Sequence, residues 1–203
     1  RRSFNKAVGG PLAAQAGQVV AVELGRKMLP VLTEALAGSP NVHVVQGDIL
    51  EMDPVTLLCE QTGASEADLV YHVVANLPYY ITSQALRHLL GARVRPRRLT
   101  LMVQREVAER ITSGPGQMSL LAVSVQVFGA PRLVCRVPPS AFVPPPKVSS
   151  AVLQIEVFPE PLVAVERLER FFAIARAGFG QKRKQLHNSL VAGLGLQIGR
   201  AHV

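Results

Sequence analysis

The feature that most constrains the fold is an alternation of short β-branched apolar runs with segments whose apolar residues recur at helical spacing. Gln18–Glu23 predicts a strand, and the leucines of 26–37 recur every three or four residues, as in a helix. Further strands are predicted at 41–46, 67–75, 99–103, 132–137 and 148–157, and further helices at 83–90 and 105–111. Strands that alternate with helices predict the α/β class, with a mostly parallel sheet covered on both faces.

Three polar residues lie at the ends of successive predicted strands, at equivalent places. They are Glu23, Asp48 and Asn76. Each alone is explained as a helix cap or a turn former. Because ligands of open α/β sheets bind outside the carboxyl ends of the strands, their shared placement predicts one common crevice.

The composition favours a soluble, globular protein with an anionic partner. Of the 203 residues, 48% are hydrophobic, which is enough for one main core and a small appendage. The net charge of +8 is compatible with RNA, DNA or an anionic membrane surface. No apolar run approaches the ~20 residues of a membrane span, and Cys59 and Cys135 lack metal-ligand spacing. We therefore expect a cytoplasmic protein without a metal and without a membrane partner.

The segment Asn76-Leu77-Pro78-Tyr79, between a predicted strand and a predicted helix, carries the strongest chemical signal. A methyltransferase that acts on a planar amine, such as the N6 amine of adenine, has to use a poor nucleophile, because the lone pair of the nitrogen is delocalised into the ring. An Asn side-chain oxygen and a neighbouring backbone carbonyl oxygen can accept hydrogen bonds from the two N–H groups of the amine, which favours a pyramidal nitrogen. Pro78 stiffens the segment, and Tyr79 offers a flat face to an unstacked base. A turn with a buried tyrosine remains the alternative for these four residues alone.

Several segments share their order and spacing with a known family. They are VVAVELGRKMLPVL, NVHVVQGDIL, NLPYYITSQAL, MVQREVAERI, VPPSAFVPPPKVSSAV and GFGQKRKQLHNSL. Together they resemble the ribosomal RNA adenine dimethyltransferases of the KsgA type. The resemblance implies a Rossmann-like S-adenosylmethionine-dependent methyltransferase domain in residues 1–162, with one antiparallel strand near the sheet edge. It further implies a small helical RNA-binding domain in residues 163–203.

The resemblance also implies roles for individual residues, with S-adenosyl-L-methionine as the methyl donor. Glu23 would bind the ribose hydroxyls of this cofactor, Asp48 its adenine amine, and Asn76 would lie beside the sulfonium methyl group. Tyr79 and Phe142 would stack on the two faces of the target adenine. The catalytic residues implied in this way are Asn76, Leu77, Pro78, Tyr79 and Phe142.

Clustered basic residues are the candidates for contacts with RNA. A solvated surface explains either cluster alone, but the two clusters together with the chemistry above predict phosphate contacts. One cluster consists of Arg93, Arg95, Arg97 and Arg98. The second cluster consists of Lys182, Arg183 and Lys184, and Lys147 is a further RNA-binding candidate.

The substrate implied by the resemblance is small-subunit (16S) rRNA within an immature small ribosomal subunit. Two adjacent adenosines in the hairpin loop near its 3′ end would be dimethylated at N6, with a role in small-subunit biogenesis, and we expect a monomer. Two alternatives stay open. One is a large-subunit rRNA adenine methyltransferase of the macrolide-resistance type, and the other is a non-catalytic assembly factor on the same fold.

The beginning of the chain departs from the family pattern. Relatives carry a first strand and a glycine-rich loop that wraps the methionine part of the cofactor. Here RRSFNKAVGG runs almost directly into PLAAQAGQVVAVE. We therefore expect this strand and loop to be absent from the sequence as given, which leaves the sheet without its central strand.

Overall fold

Strands and helices alternate along most of the chain in the computed structural model, which describes residues 4–142, 145–180 and 185–195. Within these ranges the strands are β1 (Val19–Glu23), β2 (Val42–Gln46), β3 (His72–Asn76), β4 (Arg98–Gln104), β5 (Gly129–Val137) and β6 (Ser150–Val157). The α-helices are α1 (Phe4–Ala13), α2 (Leu29–Leu36), α3 (Pro54–Thr62), α4 (Thr82–Leu90), α5 (Arg105–Ile111), α6 (Leu120–Gln126), α7 (Leu168–Phe179) and α8 (Leu186–Leu194). The predicted α/β class is confirmed.

Four of the strands form one sheet in the order β3-β4-β6-β5. β3 and β4 are parallel, whereas β6 runs antiparallel to both of its neighbours. The single antiparallel strand next to the sheet edge is therefore confirmed. Because β6 is reversed, its first residue, Ser150, pairs with the last residues of β4 and β5, Gln104 and Val137. The start of β6 thus lies at the carboxyl edge of the parallel strands.

β1 and β2 form a second sheet, a parallel pair, so the strands make two sheets rather than the single predicted one. Among the described residues, no strand pairs with β1 other than β2, and none pairs with β3 other than β4. Helix α1 contacts both β1 and β3. Alternate residues of β3 are exposed, including the apolar Val74 at 36%. This break between β1 and β3 is the result expected when a central strand is absent from the sequence as given.

The main core lies around β4 and β6, whose side chains alternate between buried and half-buried. Leu101 and Leu153, which are paired in register, are completely buried. Helix α7 packs against this core through Phe171 and Phe172, and the ring of Phe172 stacks on Phe128 with 6.1 Å between centroids. The helical region therefore begins on the main core, and a domain boundary at 162/163 stays a prediction. No helix in the described ranges is both long enough and apolar enough to cross a membrane.

Tyr71, just before β3, makes the stability of the fold depend on pH in the alkaline range. Its hydroxyl donates to the carbonyl oxygen of Val94 at 2.8 Å. Burial, followed by the charge of Asp53, raises the pKa of Tyr71 from 10.0 to about 12. Folding therefore favours the neutral phenol, so this contribution to stability is complete below pH 10 and is lost as the pH rises toward about 12.

We expect Tyr71→Phe to reduce this alkaline loss of stability, because phenylalanine does not ionise. Urea unfolding at ~pH 8 and ~pH 11 measures the effect in both proteins. The wild type should lose more unfolding free energy between the two pH values than the variant. Equal losses would contradict the assignment to Tyr71.

Candidate active site

The segment that follows β3 presents one amide to solvent and anchors itself with one apolar side chain. Asn76, the last residue of β3, is exposed, whereas Leu77 packs against the main core. Pro78, with φ −54° and ψ 135°, turns the chain out of the strand and into a short turn at Tyr79–Ile81. The N–H of Ile81 closes that turn by donating to the Pro78 carbonyl oxygen at 3.1 Å. The Asn76 amide is therefore held on a well-defined backbone at the carboxyl end of β3.

The two tyrosines of this segment have different surroundings. Tyr79 is half-buried, and its hydroxyl lies 2.6 Å from the Oγ of Ser150. Ser150 is completely buried at the start of β6. Tyr80, in contrast, is 83% exposed. The ring of Tyr79 is thus fixed both at its backbone and at its hydroxyl.

Two carboxylates occupy the carboxyl ends of the other sheet. Glu23, the last residue of β1, pairs with Gln46 of β2, and Asp48 follows two residues later. The N–H of Gly25 donates to Oε1 of Glu23 at 2.8 Å, and the N–H of Leu50 donates to Oδ1 of Asp48 at 2.9 Å. Both carboxylates are half-buried, and these bonds hold each of them against its own loop.

Glu23 and Asn76 lie at the ends of their strands and Asp48 lies two residues after β2, as predicted, and their convergence on one crevice stays a prediction. A cavity of about 760 Å³ beside α2 and a smaller one beside β4 are lined by none of the three. Asn76 belongs to a different sheet from the two carboxylates. A contact of 2.9 Å between Nε2 of His88 in α4 and the carbonyl oxygen of Met52 joins the loop after Asp48 to the helix after Tyr79.

The smaller cavity, of about 250 Å³, lies at the carboxyl end of β4 and brings Lys147 close to the sheet edge. Its lining residues are Gln104, Arg105, Glu106, Lys147, Val148 and Ser149. The N–H of Arg105 donates to the carbonyl oxygen of Ser149 at 3.0 Å, which holds the two walls together. Two cationic side chains and one carboxylate thus face a polar cavity directly beside Ser150.

Phe142 lies in the loop between β5 and β6, at the same sheet edge. It follows a short turn at Pro139–Ala141 and is half-buried. Among the described residues, no ring contact joins Phe142 to Tyr79. Its predicted place opposite Tyr79 stays a prediction.

Residues 7–200 match the protein family described as ribosomal RNA adenine dimethylase. The chain belongs to the ribosomal RNA adenine dimethylase family. Since the match extends over nearly the whole chain, it includes both sheets and the helices of the carboxyl-terminal region.

A curated relative agrees with that assignment. Ribosomal RNA small subunit methyltransferase A of Dehalococcoides mccartyi (strain CBDB1) is 46% identical over 187 residues, which is 91% of this chain and 61% of that relative. The chain therefore spans less than two thirds of the length of this curated relative.

Two solved structures are also similar. A dimethyladenosine transferase from Plasmodium falciparum has a TM-score of 0.77 at 25% identity, covering 93% of this chain and 66% of that one. The 23S rRNA methyltransferase ErmE has a TM-score of 0.73 at 28% identity, covering 91% and 70%. Both likenesses support the Rossmann-like methyltransferase fold.

Two arginines of the run at 93–98 are paired within the protein, and the contact of this run with phosphates stays a prediction. Arg93 is paired with Asp53 at 2.6 Å and with Glu66 at 2.9 Å, and Arg98 is paired with Glu156 at 2.7 Å. The run also precedes β4, so it lies at the sheet edge opposite to Asn76. The second basic cluster, Lys182–Lys184, lies outside the described residues.

Two residues at the carboxyl edge of the four-stranded sheet were not predicted from the sequence. Ser150 contacts Tyr79, and Arg105 lines the cavity that contains Lys147. A signal existed for Ser150, because a hydroxyl in the apolar run SAVLQI needs a hydrogen-bond partner once the strand is buried. Among the described residues, no group of three or more His, Cys, Asp or Glu side chains is arranged to bind a metal.

Proposed function

We propose that this dimethylase transfers methyl groups from S-adenosylmethionine to the N6 amine of adenine in ribosomal RNA. The observation that carries the proposal is the exposed amide of Asn76 at a strand end, three residues before a tyrosine ring that is fixed at both ends. The Asn76 side-chain oxygen and a backbone carbonyl oxygen of the following segment accept hydrogen bonds from the two N–H groups of the amine. This arrangement orients the lone pair of the nitrogen, so catalysis rests on positioning.

The carboxylates at the ends of β1 and β2 fit S-adenosylmethionine in their chemistry. Glu23 suits the ribose hydroxyls and Asp48 the adenine amine, because ionised carboxylates are pure acceptors. Each carboxylate is already held in place by a backbone N–H, from Gly25 and Leu50 respectively. When bound, the cofactor supplies a methyl group on a positively charged sulfur. This sulfur is a good leaving group, because it becomes a neutral thioether when the methyl group is transferred.

The target adenine requires a stacking surface once it leaves its own base stack. Tyr79 offers one half-buried ring for this purpose, and Phe142, in a loop at the same sheet edge, offers the second. Stacking of this kind contributes about 1–3 kcal/mol per base. Leu77 and Pro78 keep Asn76 and Tyr79 at a fixed separation along the segment.

The polar cavity at Lys147 is the proposed contact with the RNA backbone. Lys147 and Arg105 bring two positive charges to the edge that carries Asn76, where Glu106 lines the same cavity and Glu109 pairs with Arg105 at 3.7 Å. Phosphate contacts of this type supply affinity and register, and they are independent of base sequence. Lys182, Arg183 and Lys184 are proposed to contact the RNA backbone as well.

Neutralising Lys147 should therefore weaken RNA binding and reduce its salt dependence. We expect Lys147→Gln to lower the slope of log affinity against log salt by about one. Arg97→Gln is the matched control, because Arg97 is exposed at the opposite sheet edge and should leave the slope unchanged. Fluorescence anisotropy with an rRNA hairpin at several salt concentrations measures both. A change of slope in Arg97→Gln alone would place the RNA at the other edge.

For the substrate we propose 16S rRNA in an immature small ribosomal subunit of the cytoplasm. Two adjacent adenosines in its 3′-terminal hairpin loop would each receive two methyl groups, and the protein would take part in small-subunit biogenesis. The support is the similarity to small-subunit methyltransferase A at 46% identity, compared with 28% for the 23S rRNA methyltransferase ErmE. A large-subunit substrate is the second candidate, favoured only by the fold shared with ErmE.

Methyl transfer to isolated subunits distinguishes these candidates. The chain is incubated with S-adenosylmethionine that carries a labelled methyl group and with either unmodified small subunits or large-subunit rRNA. We expect label in the small-subunit rRNA alone. Label in the large-subunit rRNA would favour the resistance-type activity, and binding without any label would favour a non-catalytic assembly factor.

A further inference from the structure

We propose that Ser150 is a positioning residue that holds the ring of Tyr79 in the orientation needed for stacking on the target base. This inference rests on the proposed function, because it assigns a purpose to Tyr79 in the same site. Its basis is the 2.6 Å contact between the two hydroxyl oxygens, which joins positions 71 residues apart in sequence.

Ser150 is suited to act as a fixed anchor. Its side chain has 0% exposure, and it is the first residue of β6. It pairs with Gln104 of β4 on one side and with Val137 of β5 on the other. A residue held between two neighbouring strands moves little, so the Tyr79 hydroxyl is bound to a rigid part of the sheet.

The burial of Ser150 also makes the contact hard to break. A buried hydroxyl that loses its hydrogen-bond partner destabilises the fold, because no water molecule replaces the lost hydrogen bond. Rotation of the Tyr79 ring away from the sheet would leave the Ser150 oxygen in that state. The contact therefore favours one ring orientation over the others.

Tyr80 provides a contrast to Tyr79 within the same turn. It is the next residue of the same turn, and its side chain is 83% exposed. Two adjacent tyrosines thus differ in one respect that matters for stacking: one ring is fixed by a buried hydroxyl, and the other extends into solvent. Tyr80 is accordingly the matched control for substitutions of Tyr79.

The reversed direction of β6 is what makes this contact possible. An antiparallel strand begins at the edge where its parallel neighbours end, so its first side chain lies beside the residues that follow β3 and β4. Ser150 thereby reaches the segment that starts at Asn76. The anchor fixes the distance between the stacking ring and the amide three residues earlier, and this distance sets how the target amine meets the methyl group.

Kinetics of methyl transfer test the anchor through Tyr79→Phe, Ser150→Ala and the double variant. Each single variant should lower kcat about tenfold with little change in KM, because orientation is lost while the stacking area is kept. The double variant should be no slower than either single variant, since both remove the same contact. Ser150→Thr, which keeps a hydroxyl, should restore most of the rate, and Tyr80→Phe should be unaffected. An unchanged kcat in Tyr79→Phe, or losses that multiply in the double variant, would overturn the proposal.

A binding measurement separates the anchor from the reaction itself. An RNA hairpin with 2-aminopurine at the target position has no amine at carbon 6, so its fluorescence reports stacking without transfer. The wild type and Tyr80→Phe should quench this fluorescence strongly, and Tyr79→Phe and Ser150→Ala should quench it less at saturation. Equal quenching by all four proteins would overturn the role of Ser150, whereas absent methyl transfer by the wild type would overturn only the proposed function. Should Ser150→Ala fail to fold, Tyr79→Phe tests the same contact from its other side.

Discussion

Asn76→Ala is expected to reduce methyl transfer by about 100-fold or more, the typical cost of removing one group that stabilises a transition state. The amide oxygen is the acceptor that orients the target amine, and alanine leaves that amine free to stay planar with its ring. RNA affinity should remain close to that of the wild type, because phosphate contacts supply most of it. The fold should also be unaffected, since Asn76 is exposed at the last position of β3.

Single-turnover transfer and RNA anisotropy, measured on the same preparations, check this expectation. Gln15→Ala is the control, because this exposed amide lies before β1 and so at the amino end of that strand. It should leave both measurements unchanged. Retained turnover in Asn76→Ala would remove Asn76 from the mechanism.

The second large effect is expected from the carboxylates. Glu23→Gln and Asp48→Asn keep an oxygen that accepts the N–H of Gly25 and of Leu50, so the loops should stay in place. Each change removes a charge-assisted hydrogen bond of roughly 1.5–3 kcal/mol. We therefore expect each variant to bind S-adenosylmethionine about 10- to 100-fold more weakly than the wild type.

Isothermal titration calorimetry with the full chain measures this loss directly. Asp68→Asn is the matched control, because Asp68 is an exposed carboxylate before β3 that bonds the Ser65 hydroxyl. Its affinity for the cofactor should equal that of the wild type. An unchanged dissociation constant in both Glu23→Gln and Asp48→Asn would mean that the cofactor does not bind at the ends of β1 and β2.

The order of strands was predictable because their apolar runs are short, β-branched and separated by helical patterns. Three helices, α1, α3 and α6, were not predicted. In α1 the residues Gly9, Gly10 and Pro11 obscure the helical pattern, and the helix end is instead held by Asn41, whose side-chain amide donates to Ala13 and Ala16 carbonyls. Tertiary contacts of this kind are invisible in the local sequence.

Helix α3 carried signals that the apolar pattern alone did not show. Asp53 accepts a hydrogen bond from the N–H of Thr56, Pro54 occupies the first turn, and Gly63 ends the helix with φ 73°. A capping residue, an early proline and a terminal glycine together predict a helix even where the apolar spacing is weak. The helix was therefore within reach of the sequence.

The site was partly predictable for a related reason. Strand ends follow from local patterns, so the positions of Glu23 and Asn76 could be placed from the sequence. The contact between Tyr79 and Ser150 could not, because it depends on how β6 pairs with its neighbours. A charge run also does not show what its side chains bind, and two of the arginines at 93–98, Arg93 and Arg98, pair with carboxylates of the protein itself.

The proposed reaction transfers the methyl groups of S-adenosylmethionine to N6 of adenine in the rRNA. Incubation of unmodified small-subunit rRNA with the chain and S-adenosylmethionine bearing a deuterated methyl group, followed by mass spectrometry of the nucleosides, tests it most directly. We predict N6,N6-dimethyladenosine that carries two deuterated methyl groups. Label in a ribose, in another base, or in no nucleoside at all would contradict the assignment.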